Sequence, residues 1–303
     1  EFTDNLKLDL ERRDFTINAM AYNDNRGLVD EFGGIKDLKD GIIRCVGDAG
    51  QRFDEDALRM LRAVRFAGQL GFAIEEKTRE AIVERADHLK NISAERIRVE
   101  LTKLLVSKEA GRIRDAYKTG MTKYFLPELD AAMQTEQKNP HHIYTVGEHS
   151  ICGIELMNCF FGITSDKKIY DKIPENVLET AKKLAAKMDK KQQTVLCMTM
   201  LLHDIAKPAV MTVDEKGIGH FIGHPAQSEK MAKKIMRRLT FDNDSISKAC
   251  RLIRFHDYRM EDKSRAFRRA VSKIGADIMD MLFLVEYADV LAQSDMQRDE
   301  KLA

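Results

Sequence analysis

Phe53-Asp54-Glu55-Asp56-Ala57-Leu58-Arg59-Met60-Leu61-Arg62-Ala63-Val64-Arg65-Phe66-Ala67 lays two patterns over one stretch of chain. Leu58, Leu61, Val64 and Phe66 recur at helical intervals and predict a buried stripe on a helix that runs on from Arg52. Asp56, Arg59, Arg62 and Arg65 step by three beside that stripe and predict a charged row on the same helix. A carboxylate and a guanidinium held side by side offer acceptor and donor atoms together, the complement of a nucleobase edge, and arginines farther along suit a triphosphate. The plain alternative is a row of i,i+3 ion pairs with no ligand.

Upstream of this helix, Leu28-Val29-Asp30 and Ile42-Ile43-Arg44-Cys45-Val46 are short β-branched runs bounded by Gly33-Gly34 and Gly47, and they read as strands. Downstream, helical periodicity continues at 75–88, 93–106 and 109–119, with Ser93 as a candidate N-cap. Leu126-Pro127-Glu128 and Lys138-Asn139-Pro140 interrupt the pattern. Further helices then follow at 142–161, 176–189, 192–206, 225–239, 244–257, 264–273 and 277–296, with a turn or hairpin at Asp214-Glu215-Lys216-Gly217. The predicted fold is mostly α, in three parts. Residues 1–46 form a small β-containing piece, 47–139 a helical region with the charged row, and 140–303 an all-α domain.

Seven of the eight histidines fall in that last part. Leu202-His203-Asp204-Ile205-Ala206-Lys207 places imidazole and carboxylate next to each other at the end of an apolar helix, where both can turn toward one metal. Around it stand His149, His224, His256 and Asp289. Imidazole and carboxylate together suit Mg, Mn, Ni, Co or Fe better than a thiolate site would. His141, His142 and His220 read as structural or peripheral. Any one of these histidines in isolation is as easily a cap or a core residue.

Composition narrows the classes. Fifty Lys and Arg balance forty-nine Asp and Glu, so no global field draws the chain to nucleic acid, and any such contact must be local. Five scattered cysteines fit neither a disulfide framework nor a zinc ribbon, which points to a cytoplasmic setting. No apolar run is long enough to cross a bilayer, so no membrane partner is expected. Methionines such as Met20, Met60 and Met121 read as adaptable core filling.

Four motifs in order carry a resemblance. Glu11-Arg12-Arg13-Asp14-Phe15-Thr16-Ile17-Asn18-Ala19-Met20-Ala21, Asp30-Glu31-Phe32-Gly33-Gly34-Ile35-Lys36-Asp37-Leu38, the Glu55-to-Arg59 segment, and Glu95-Arg96-Ile97-Arg98-Val99-Glu100-Leu101 together resemble the class II transfer-RNA nucleotidyltransferase and bacterial poly(A) polymerase family. The ordered histidines and aspartates resemble the HD phosphohydrolase superfamily, which some CCA-adding enzymes carry. The resemblance implies that residues 1–46 are part of a nucleotidyltransferase palm and that 47–139 are its neck. Asp56 and Arg59 would read the base of CTP or ATP, Arg62 and Arg65 would help hold the nucleotide, and Arg13 would contact it from the palm side. Glu95, Arg96 and Arg98 would brace the helix presenting this template.

For the HD set the resemblance implies one metal on His149, His203, Asp204 and Asp289, and a second completed by His224 and His256. Asp204 and Lys207 would act in hydrolysing a phosphoester. The reaction implied for the family is stepwise addition of C, C and A to the transfer-RNA 3′ end. Its Asp-x-Asp pair, which holds Mg and lies upstream of the Arg12-Arg13-Asp14 motif, has no counterpart in residues 1–10, so a chain that starts late and does not polymerise by itself is expected. Poly(A) synthesis, and a non-catalytic nucleotide- or RNA-binding module, remain as alternative readings.

Overall fold

A computed structural model describes residues 5–138, 143–164, 166–171, 173–258 and 264–293. The chain is mostly α-helical and divides into two compact units, residues 1–104 with 112–125, and 105–111 with 126–303.

The first unit opens with α1 (Leu6–Glu11), capped by the Asn5 side chain, and an antiparallel pair, β1 (Met20–Asn23) with β2 (Gly27–Asp30). α2 (Gly34–Asp40) follows, and β3 (Ile42–Ile43) lies parallel to β4 (Ala73–Ile74), which comes after α3 (Ala49–Glu55) and α4 (Leu58–Leu70). The expected strand through Val46 therefore stops at Ile43, and Cys45 contributes a single bridge to Phe15. α5 (Glu76–Arg85), α6 (Ala94–Leu105) and α7 (Ile113–Lys118) complete this part. The apolar stripe of α4 is buried at Leu58, Leu61 and Val64 as its spacing predicts, whereas Phe66 is only half-buried and Ala67 takes the core position beside it, and Gly71 closes the helix at φ +73°.

One expectation fails here. No single helix runs through Asp56. α3 ends at Glu55, Asp56 is extended at φ −153° and ψ 99°, and its Oδ1 accepts from the backbone N–H of Leu58 at 3.2 Å. A short carboxylate that bonds neighbouring backbone N–H groups favours a helix start over a helix interior, so the segment breaks where the acid stands.

In the second unit α8 (Pro127–Gln134) begins at the proline expected to interrupt; at the first helical position a missing N–H costs nothing. α9 (Val146–Phe160), α10 (Lys167–Tyr170), α11 (Glu175–Ala185) and α12 (Lys190–Leu202) follow. A capping box between Asp189 and Gln192 starts α12, whose residues from Val195 to Leu202 are all buried. α13 (Lys207–Val210) leads into the hairpin β5 (Thr212–Val213) with β6 (Gly219–His220), which with a single bridge between Glu136 and Thr145 departs from the all-α architecture of this unit. α14 (His224–Arg238), α15 (Asn243–Phe255), α16 (Ser264–Ile274) and α17 (Met279–Leu291) complete it.

α9, α12, α15 and α17 pack on one another around the buried histidines. Close approach of α8 to α9 requires Gly147, where a Cβ would stand 2.7 Å from the backbone N of Met133. All five cysteines are free thiols, and no helix among the described residues is long and apolar enough to cross a membrane.

Candidate metal centre and nucleotide cavity

The ends of helices supply the metal-centre side chains. His203 follows α12, His256 follows α15, His224 opens α14, His149 sits in the first turn of α9, and Asp289 lies near the end of α17. Three of the rings share one local device: Nδ1 bonds the carbonyl three residues back, His203 to Met200 at 2.9 Å, His224 to Phe221 at 2.9 Å and His256 to Ile253 at 2.8 Å. His149 Nδ1 faces Ala292 O at 3.3 Å. A carbonyl accepts only, so each ring donates there and a neutral imidazole keeps a bare lone pair on Nε2.

Those four Nε2 atoms converge on the two carboxylates. His149 Nε2 lies 2.8 Å from Asp289 Oδ1 and 3.2 Å from His203 Nε2, which is itself 3.3 Å from both Asp204 Oδ2 and Asp289 Oδ1. On the other side His224 Nε2 and His256 Nε2 stand 3.2 Å and 3.6 Å from Asp204 Oδ1 and 3.4 Å from each other. His149, His203, Asp204 and Asp289 thus form one donor group, and Asp204, His224 and His256 another, with the Asp204 carboxylate common to both.

Lone pairs facing lone pairs and carboxylate oxygens repel unless a cation or a proton lies between them. Asp204 Oδ1 is buried and accepts no hydrogen bond, because the neighbouring imidazoles have spent their N–H groups on backbone. The residues therefore fit a divalent ion in type and arrangement. Electrostatics agree. Burial opposes charge on Asp204, yet His203 and Lys207 outweigh it and hold the carboxyl well below its usual range; His149 and His203 do the same for Asp289. Burial also opposes charge on His203, and the two carboxylates overcome it, raising the imidazole to about 10. Without a metal, a proton takes the cation's place.

Lys207 Nζ bonds Asp204 Oδ2 at 2.6 Å and Gln137 Oε1 at 2.9 Å, so its charge is fixed beside the centre. Gln137, buried, was not visible as a partner from sequence, since seventy positions separate the two. His220 bonds Asp214 across the β5–β6 hairpin at the surface, away from the donor groups. His141 and His142 lie outside the described residues.

In the first unit a cavity of about 450 Å³ is lined by Arg13, Asp14, Asn18, Asp56, Leu58, Arg59, Arg62 and Arg96. That volume lies within the roughly 300–1,000 Å³ of small-molecule sites. Asp56 and Arg59 share the cavity but not an ion pair. Asp56 Oδ2 accepts from Arg96 at 2.7 Å; Arg59 bonds Glu55 at 2.8 Å, Arg52 O at 3.1 Å and Arg12 O at 2.9 Å. Arg62 is gripped by Asp14 at 2.8 and 2.5 Å, and Arg13 reaches Asp9 at 3.2 Å.

Arg65 is a correction. Its guanidinium is buried, bonds Glu100 and Gln69, and stacks 3.7 Å from the Phe66 ring centroid, so it does not line the cavity. A step of three residues turns a helix by about 300°, so a row at that step drifts by about 60° each time, and by Arg65 it has reached the core. Asp14, Asn18 and Arg96 are the additions. The first two lie within the Glu11-to-Ala21 motif, and the approach of Asp14 to Arg62 is one no spacing rule reveals.

Three family descriptions match the chain: Poly A polymerase head domain over residues 1–44, Probable RNA and SrmB-binding site of polymerase A over 71–133, and HD domain over 174–293. A CCA-adding enzyme of Bacillus licheniformis is 50% identical over 131 residues, 43% of this chain and 33% of that enzyme. One from Leuconostoc mesenteroides is 48% identical over 126 residues, 42% of this chain and 31% of that enzyme. The matched stretch thus spans about a third of these relatives. Among solved structures, a CCA-adding enzyme with ATP aligns over 93% of this chain and 55% of its own at a TM-score of 0.53 and 22% identity. The Thermotoga maritima CCA-adding enzyme complexed with tRNA aligns over 94% and 59% at 0.53 and 21%. At these identities the structures speak for the fold alone.

Proposed function

For a chain that belongs to the class II transfer-RNA nucleotidyltransferase family of CCA-adding enzymes and poly A polymerases and carries an HD domain besides, we propose two working sites: a metal-dependent phosphohydrolase centre and a nucleotide-reading cavity. The observation that carries the first is the buried Asp204 carboxylate flanked by four imidazoles whose N–H groups all point away from it. A divalent ion held by His149, His203, Asp204 and Asp289, with a second on Asp204, His224 and His256, would supply an acidified water and a counter-charge for phosphate.

The protein's own part is positional. Backbone carbonyls fix the four rings, Asp204 spans both groups, and Lys207 holds a positive charge ready for a phosphoryl oxygen. In the hydrolysis itself the water oxygen bonds to phosphorus as the water gives up a proton, the ester P–O bond breaks, and the departing alkoxide takes up that proton. The test is metal content of the purified protein together with hydrolysis of a 2′,3′-cyclic nucleotide in Mg, Mn, Ni, Co or Fe. A metal-free chain that no ion activates ends this reading.

The cavity supports the second site. Four guanidiniums line it, each held by a carboxylate that a triphosphate would replace, and Asp56 with Arg59 opens on the same space, where together they would read the base of CTP or ATP. Relatives named as CCA-adding enzymes at about half identity favour addition of C, C and A to transfer-RNA 3′ ends over poly(A) synthesis as the activity this cavity serves. The cavity is thus read as a site selective for CTP and ATP. Calorimetry checks it: CTP and ATP bind more tightly than GTP and UTP, and equal affinity for all four rules out base reading.

A further inference from the structure

We propose that the exposed basic face of α16 is a docking surface for the phosphodiester backbone of single-stranded RNA, leading to the metal centre. This rests on the phosphohydrolase reading and names its substrate class: the phosphoester of an RNA strand in preference to a free nucleotide. Arg265, Arg268, Arg269 and Lys273 recur at steps of three and four, which places them on one side of the helix. All four are exposed, and none is paired with a carboxylate among the described residues. Two other arginines of this unit, by contrast, are held by acids: Arg238 by Glu128 and Arg251 by Asp277.

The row leads somewhere. Lys273 Nζ lies 4.7 Å from the ring centroid of Tyr258 and 5.8 Å from that of Phe255, and these two residues flank His256 in sequence. Cations in line with two aromatic rings are the combination that tracks a single strand, charge on the backbone and π-faces for bases. The exposed Asp257 beside them is the acid such a strand must pass. A membrane surface fits less well. The opposite side of α16, Ala270 and Ile274, is buried in its own domain at 0% and 2% exposure, so it has no apolar face to insert, and only Phe267 remains partly open.

The experiment compares the full chain with the triple variant Arg265→Glu, Arg268→Glu, Arg269→Glu, and with the corresponding triple glutamine variant in case charge reversal unfolds the domain. Anisotropy of a short fluorescent oligoribonucleotide is read against salt. Each phosphate neutralised on a single strand contributes about 0.7 to the log–log slope, so the parent slope should exceed that of either variant by about 2. Hydrolysis should divide the same way, with kcat/KM for the oligonucleotide falling at least about tenfold and that for a 2′,3′-cyclic mononucleotide unchanged. Equal slopes in parent and variants overturn the proposal, as does binding of the parent to phosphatidylglycerol vesicles with RNA affinity unaltered in the variants. If the parent hydrolyses neither substrate, the phosphohydrolase reading fails, and the binding slopes still decide the surface.

Discussion

The metal centre and the arginine cavity are both polar sites, yet they stand in opposite states of satisfaction. Around Asp204 metal-binding donors converge on one another: Asp204 Oδ1 is buried without a hydrogen bond, and the Nε2 atoms of four imidazoles face the carboxylates. In the cavity Arg62 already holds Asp14, Asp56 holds Arg96, and Arg59 holds Glu55 and two carbonyls. The first arrangement is stable only with a cation or a proton inside, so occupancy and structure are one question there. The second folds complete, and a nucleotide must exchange with existing partners, so its affinity is a difference of comparable terms.

The largest expected effect follows from the carboxylate common to both donor groups. Asp204→Ala should empty both and abolish hydrolysis, whereas His224→Ala should spare the group of His149, His203 and Asp289. Both should exceed the roughly 10–100-fold typical of losing a supporting partner one layer out. Metal analysis beside rates checks this, and Asp204→Ala retaining a full complement of metal would contradict the shared-ligand geometry.

Next comes Arg65→Met, which separates architecture from binding within the arginine row. Removing one partner of a buried pair leaves Glu100 with only the longer approach of Arg62 at 3.9 Å, at a cost of up to about 3–5 kcal/mol. Denaturation midpoints should fall accordingly while nucleotide preference is kept; a changed preference would return Arg65 to the cavity. Arg59→Ala should do the reverse, leaving stability nearly intact and reducing the preference for CTP and ATP by about 1–3 kcal/mol.

That contrast also marks what the sequence could reveal. Helix positions in the second unit were legible because long apolar stripes at helical spacing leave few alternatives, and the HD donors because histidines at helix ends stood beside an aspartate. α1 and α2 were not: their segments are short and mostly polar, held by the Asn5 cap and by left-handed glycines at both ends of α2. α8 was hidden by its own proline. Arg65 was misread because its partner Glu100 is thirty-five positions away, and local charge patterning is silent about distance of that kind. Asp56 shows the same limit from the other side, since a single acid beside an apolar stripe reads equally as a helix position or as the stop between two helices.

The last effect depends on pH and comes from a residue next to the metal centre. Glu286 Oε1 is buried without a hydrogen-bond partner, and its carboxyl is pushed up to about 8 by burial first, then by Asp289 and Asp257. Below the ordinary glutamate value of 4.5 both folded and unfolded chains carry the proton, and the folded state has no penalty there. As pH rises from that value toward 8 the unfolded chain releases its proton while the folded one keeps it, so stability falls, by at most about 1.4 kcal/mol per pH unit and less where solvent screens the group. Above 8 both are ionised and the penalty stays constant. Glu286→Gln should remove that decline from urea midpoints measured across the interval. Metal in the adjoining donor group should also flatten it in the parent, because a cation offsets the Asp289 charge that helps hold the proton on. A decline of equal steepness in parent and Glu286→Gln would assign it to some other group, and an unchanged parent slope on metal loading would separate Glu286 from the centre.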